Sequence, residues 1–255
     1  MQAAKEAEAG HFAQLHGPDD RVLIREVSDY LARGLESGGT AITIATREHR
    51  EALLAALRER IDAERSIEEG ALQFMDAEQT LDRFVVRGYP DAERFDAVVG
   101  ERVRDAWARS ADLRAYGEMV GVLWKTGRFP AAIRLEQLWS ALRREVPLSL
   151  YCAYPIDVFG NGFDAVAADA LLRAHTQFLP AEAGGSLESA VTRAAKELLG
   201  SNFDGFERHL LAQRSGKRGA LPAGESMVLW LKASHADRAR EVLERARKYY
   251  YEGCA

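Results

Sequence analysis

Cysteine is scarce in this chain: its 255 residues include two, Cys152 and Cys254. A pair so placed forms neither a disulfide framework nor a metal-binding repeat, and Cys152, inside an apolar run, reads as a small buried hydrophobe. No apolar run approaches the roughly 18 residues that a membrane-spanning helix requires, so no membrane association is expected. Met1–Gly10 is rich in Ala and Glu without an apolar centre, which argues against a secretory leader. Blocks of Lys and Arg are missing as well. The net charge is −5, its acidic excess falls within residues 1–180, and neither part has the footprint of a nucleic-acid-binding domain. None of the six histidines pairs with another His or a Cys at helical spacing, so the spacing provides no zinc signature and no metal or cofactor is expected. No Gly-x-Ser-x-Gly elbow occurs, and a serine hydrolase therefore has no anchor. A reducing, cytoplasmic setting is the expectation that remains.

What is present is an ordinary globular composition, 47% apolar and 29% charged, sufficient for a sizeable core. Short β-branched or aromatic runs alternate with helical patterns. Phe12–Leu15, Thr40–Ala45, Ala71–Met75, Leu113–Tyr116 and Leu148–Tyr154 read as strands. Between them, apolar residues at spacings of three and four predict helices over Asp20–Leu35, after the capping residue Thr46, over Ala77–Arg87, Met119–Thr126 and Pro130–Arg144, and over Asp164–His175 after the last strand. Phe95, Val99, Val103 and Trp107, each four apart, predict one core-facing stripe. The expected fold is therefore α/β, with a mostly parallel central sheet and helices on both faces. Past Leu179–Pro180 the character changes. Ala183-Gly184-Gly185 breaks the chain, Ser186 caps a helix to Leu199, Phe203–Gln213 suits another helix, Ser215–Gly219 reads as a polar loop, and Ser234 caps a last helix. Met227–Leu231 is too short for periodicity to separate strand from helix. The expected organisation is a disordered tail at 1–10, a domain at 11–180 and a mainly helical extension at 181–255.

The first strand runs into Gly17-Pro18-Asp19-Asp20 and then a helix, the layout of a phosphate-binding loop. The chemistry is wrong for a polyphosphate: one Gly, no Lys-Ser/Thr pair, and two carboxylates where an anion would sit. Asp19 and Asp20 suit a helix cap and first turn instead. In parallel sheets ligands meet the carboxyl ends of the strands. That rule selects Glu48 and His49 after the second strand, Tyr116 and Glu118 at the end of the fourth, and Tyr154 at the end of the fifth, with Trp124 and Trp139 as apolar walls. Each has a plainer reading: Glu48 and Glu118 as first-turn acids, the tryptophans as core. No catalytic residue is identified. Arg238, Arg240, Arg245, Arg247 and Lys248 of the last helix interleave with Glu241 and Glu244, the pattern of a solvated, ion-paired face.

His11, Thr43-Ile44-Ala45-Thr46 with His49, Arg114-Ala115-Tyr116-Gly117-Glu118-Met119-Val120, Leu123-Trp124, Leu135-Glu136 with Leu138-Trp139, and Cys152-Ala153-Tyr154-Pro155 together resemble the MEDS domain, the methanogen/methylotroph sensory domain associated with a dichloromethane-responsive repressor. The resemblance covers residues 10–180. It implies a degenerate relative of RecA/KaiC-like ATPases that has lost its Walker A loop, a role in ligand or signal sensing, and fusion or pairing with kinases or transcription regulators. It carries no catalytic residues over. Residues 181–255 depart from the common architecture, showing neither a kinase ATP-lid pattern nor a helix-turn-helix, and suit an extension that docks on the sensor or on a second copy in a homodimer.

The leading expectation is a non-enzymatic, cytoplasmic sensory protein. It binds a small molecule or signalling protein at the strand ends and relays the event through the extension. One rival is a nucleotide hydrolase or phosphotransferase with an atypical phosphate loop, using Glu48 to activate water and Asp157 or Asp76 to hold Mg²⁺. A second is a DNA-binding regulator acting through Lys217-Arg218 and the last helix, and a third is a protein-interaction adaptor whose pocket is vestigial.

Overall fold

The structure, a computed structural model, describes residues 10–17, 20–160, 162–179, 186–203 and 221–252. The expected helix Phe203–Gln213 beyond Phe203, the break at 183–185, the loop Ser215–Gly219 and Cys254 lie outside these residues, as do Pro18 and Asp19. The fold is α/β, a parallel sheet flanked by helices followed by a helical C-terminal region, and it forms two compact units, Met1–Pro155 and Ile156–Ala255.

In the first unit β1 (His11–Leu15), β2 (Thr40–Ala45), β3 (Leu72–Asp76), β6 (Leu113–Gly117) and β7 (Ser149–Tyr154) lie side by side in the order β3–β2–β6–β7–β1, every pairing parallel. β2 and β7 are buried at every position, as strands covered on both faces must be. Side chains alternate across the sheet. Thr43, Tyr116 and Tyr151 share one face in register, where Tyr30 of α1 (Arg21–Glu36) stacks on Tyr151 at 5.3 Å. α2 (Arg47–Arg58) packs beside α1. Thr40, Ile42 and Ile44 point to the other face, where the Thr40 hydroxyl donates to the Ala106 carbonyl of α6 (Glu101–Arg109) at 3.2 Å. α7 (Met119–Lys125) packs on β7, and α8 (Phe129–Glu145) packs on α7. Gly121 makes that contact possible: a Cβ there would meet the Ala153 carbonyl oxygen at 2.6 Å.

Two local expectations change. The helix expected over Ala77–Arg87 stops at Phe84, giving α4 (Ala77–Phe84), and β4 (Val85–Val86) folds back on β5 (Tyr89–Pro90). The cause is turn chemistry: Arg87 and Gly88 both take positive φ, 50° and 86°, as a type I′ hairpin turn requires. The stripe from Phe95 to Trp107 also breaks. α5 (Ala92–Phe95) runs through a π-helical turn at Asp96–Gly100 into α6, and Phe95, Val99 and Val103 are buried while Trp107 is 40% exposed. A strict spacing of four overruns an α-helical turn by about 40° per step, so three steps carry the last residue off the face. Ala106 is buried in its place.

In the second unit α9 (Ala165–Ala174), β8 (Gln177–Leu179), α10 (Ser186–Leu199) and a 3₁₀ turn at Gly200–Phe203 precede α11 (Ala223–Ser234) and α12 (Ala236–Glu252). The residues Met227–Leu231, ambiguous by pattern, are helical. Val191, Ala194 and Ala195 of α10 meet a core that includes Val228, Leu231, Val242 and Ala246. Ahead of α9, the Lys232 ammonium donates to the carbonyls of Gly160 and Phe163 at 2.6 and 2.7 Å, fastening that segment to α11. Among the described residues no helix is long and apolar enough to cross a membrane.

Candidate functional site

From β2 the chain moves outward to β3, and from β6 it moves the opposite way to β7, so the strand order, though not the strand direction, reverses between β2 and β6. A crevice opens at the carboxyl ends of two such strands. Glu118 follows β6 directly, its backbone N–H donating to the Ile44 carbonyl at 2.9 Å, and its side chain fills this crevice. The residue is 5% exposed, and three groups converge on its carboxylate. The Thr46 backbone N–H donates to Oε2 at 2.8 Å. The Tyr116 hydroxyl, fully buried beneath it, donates to Oε1 at 2.6 Å. His49 in the first turn of α2 reaches Oε1 through Nδ1 at 2.5 Å. The other ring nitrogen, Nε2, lies 2.9 Å from Oδ2 of Asp20, which closes the chain of contacts at the surface.

An imidazole facing carboxylates with both nitrogens satisfies both only as the doubly protonated cation. Burial would lower the His49 pKa, but the hydrogen bonds and charges of Glu118 and Asp20 outweigh it and raise the pKa above its ordinary value. Burial would likewise raise that of Glu118, yet His49, Tyr116 and the Thr46 amide bring it below the usual carboxylate value. His16, just past β1, stacks edge-on to His49 at 5.9 Å. Its own pKa is lowered, first by burial and then by the His49 charge, opposite to the shift of His49.

The caps show what this arrangement displaces. α3 (Ala63–Glu68), α4 and α5 begin with Asp62, Asp76 and Asp91, whose side chains accept the N–H three residues on. α1 and α2, which begin at the crevice, have no side-chain cap bond although Asp20 and Thr46 hold the cap positions. Asp20, expected to cap, commits its carboxylate to His49 instead, and the Thr46 amide serves Glu118.

The remaining sequence-selected residues divide. Glu48 sits exposed in the first turn of α2, and the hydrogen bonds of the crevice pass through Glu118. Trp124 stacks on Tyr154 at 5.9 Å, and Trp139 lies 1% exposed against Phe95, in the aromatic core. Asp76 is a helix cap that also faces Arg50 at 3.6 Å, and Asp157, in the second unit, accepts the Phe159 N–H and pairs with Arg247.

A second polar group lies on the opposite face of the sheet, under α8. His11 of β1 brings Nε2 to 3.4 Å from Sγ of Cys152 on β7 and to 3.4 Å from Oε2 of Glu136 on α8. The Tyr154 hydroxyl donates to the other carboxylate oxygen of Glu136. Burial and the nearby Glu136 charge push the Cys152 thiol well up, against the pull of Arg143. Sequence reasoning missed this group because its members are scattered over three elements; no spacing reports it until the pairing of β1 with β7 is known.

No curated protein matches the chain. The sequence model of the MEDS family, the methanogen/methylotroph, DcmR sensory domain, matches residues 10–176, and the chain belongs to that family.

Proposed function

We propose that this MEDS-family protein is a non-enzymatic cytoplasmic sensor whose signal enters at the His49–Glu118 crevice. The carrying observation is the buried Glu118 carboxylate, held by Tyr116, His49 and the Thr46 amide at the point where the strand order reverses. A small molecule with hydrogen-bonding groups, or a polar side chain of a signalling partner, exchanges bonds with this set. Among the described residues the semi-exposed contact of Asp20 with His49 is the outermost hydrogen bond of this set, and entry opens it. Sensing then follows from differential binding to the open and closed arrangements. The C-terminal helices relay the change to a kinase, a transcription regulator or a second copy.

Descent from RecA/KaiC-like ATPases without their nucleotide chemistry belongs to the same proposal. Its support is the parallel sheet with an acid, Asp20, at the first strand-to-helix turn, where a polyphosphate would be repelled. Against DNA contact, Arg238, Arg245 and Arg247 of α12 are already paired with Glu241, Glu197 and Asp157.

Thermal-shift screening of a polar metabolite panel against the wild type and Glu118→Gln tests the reading. Compounds that stabilise the wild type and lose that effect in the variant support it. Micromolar binding of ATP or GTP with Mg²⁺, accompanied by turnover, would overturn it.

A further inference from the structure

His11, Glu136 and Cys152 converge from β1, α8 and β7 on one point in the interior. His11 and Cys152 are fully buried and Glu136 is 6% exposed. They supply one imidazole nitrogen, one carboxylate oxygen and one sulfur, and these ligand atoms lie within 4.8 Å of one another. The spacing discriminates. Around a tetrahedral zinc-sized ion the nitrogen–oxygen and nitrogen–sulfur edges are about 3.4 and about 3.6 Å, from the usual bond lengths. The observed nitrogen–oxygen and nitrogen–sulfur separations are 3.4 and 3.4 Å, near those two edges, and the oxygen and sulfur lie within 4.8 Å of each other. The surroundings fit as well. Tyr154 donates to Oε1 of Glu136 and leaves Oε2 turned toward His11, as outer partners orient metal-binding carboxylates. A thiolate and a carboxylate also neutralise a dication, which makes burial of all the charges together tolerable.

We propose that His11 Nε2, Glu136 Oε2 and Cys152 Sγ bind a divalent transition-metal ion of the zinc class. The mixed nitrogen, oxygen and sulfur set suits zinc or cobalt and argues against magnesium or calcium, which take oxygen ligands. On binding, the Cys152 S–H bond breaks, its proton leaves to solvent and the sulfur lone pair bonds the metal; no electron is transferred. This site is on the other face of the sheet from the His49–Glu118 crevice, and the proposal does not depend on that reading.

The test is a Co²⁺ titration of the full-length, untagged protein, stripped with chelator and kept reduced, with folding checked by circular dichroism. The expected result is a thiolate-to-cobalt charge-transfer band that saturates at one equivalent and is bleached by Zn²⁺. Cys152→Ser removes the band, His11→Asn and Glu136→Gln weaken Co²⁺ binding tenfold or more, and Tyr154→Phe weakens it by about tenfold, the usual cost of losing an orienting partner. Glu136→Gln keeps the size and an acceptor for Tyr154, so it tests the site even where Cys152→Ser does not fold. No thiolate band in the wild type under excess Co²⁺, or unchanged Co²⁺ affinity in folded Glu136→Gln, would overturn the proposal.

Discussion

Nδ1 of His49 and Oε1 of Glu118 lie 2.5 Å apart, although 69 residues separate them along the chain. The bond spans the reversal between β2 and β6, so it couples the start of α2 to the end of β6. Its energy depends on burial: with Glu118 nearly inaccessible, its carboxylate cannot fall back on water if His49 is removed.

His49→Ala should therefore destabilise the protein by about 3 kcal/mol, since it strands a buried carboxylate. Asp20→Asn removes a partner that is 37% exposed and should cost under about 1 kcal/mol. Urea unfolding of the two variants measures the contrast, and equal losses would show that the burial of Glu118 does not set the cost.

The same pair fixes a pH window. The folded-state pKa of His49 is raised, so its contribution is complete below its unfolded value, near 6.5, and is lost as the pH climbs through the folded value. That of Glu118 is lowered, so its contribution is complete above the unfolded value, near 4.5, and is lost as the pH falls through the folded value. The lowered pKa of His16 adds a penalty on the acid side of about 6.5. Urea midpoints followed against pH should decline on the alkaline side in the wild type, and His49→Ala should flatten that limb.

Gly121 gives a packing test. Its substitution by Ala sets a methyl carbon 2.6 Å from the Ala153 carbonyl, a backbone atom fixed in the sheet. A loss of about 1–3 kcal/mol is expected, with α7 lifted from β7. Gly127→Ala, where a Cβ has open space but φ is 72°, isolates the backbone effect and should cost less, about 1 kcal/mol.

In the second unit, Lys232→Met leaves the carbonyls of Gly160 and Phe163 without their charged donor. A loss of about 1–3 kcal/mol and faster hydrogen exchange in α11 should follow. Lys232→Arg, longer but still charged, should recover part of the loss.

Much of the fold was legible from local pattern. Thr40–Ala45 reads as a buried strand because β-branched residues recur without a polar face, and α1 reads from Leu23, Val27 and Leu31. The hairpin at Arg87–Gly88 was not, because a short strand after Phe84 continues a helical pattern until the positive φ values are seen. Trp107 misled because an exact period of four imitates a stripe over two turns and fails over three. At the crevice, strand ends located His49, Tyr116 and Glu118, but the bond between His49 and Glu118 depends on β2 lying beside β6, which no local pattern encodes. His11, Glu136 and Cys152 are hidden for the same reason: β1 must first be paired with β7.

The most direct test is the ring-nitrogen NMR spectrum of His49 while a stabilising metabolite is added. The account predicts a doubly protonated ring in the free protein, with both His49 nitrogen signals and the Tyr116 ring shifting on saturation and no such change in Glu118→Gln. A metabolite that binds wild type and Glu118→Gln equally, and leaves the His49 signals in place, would contradict it.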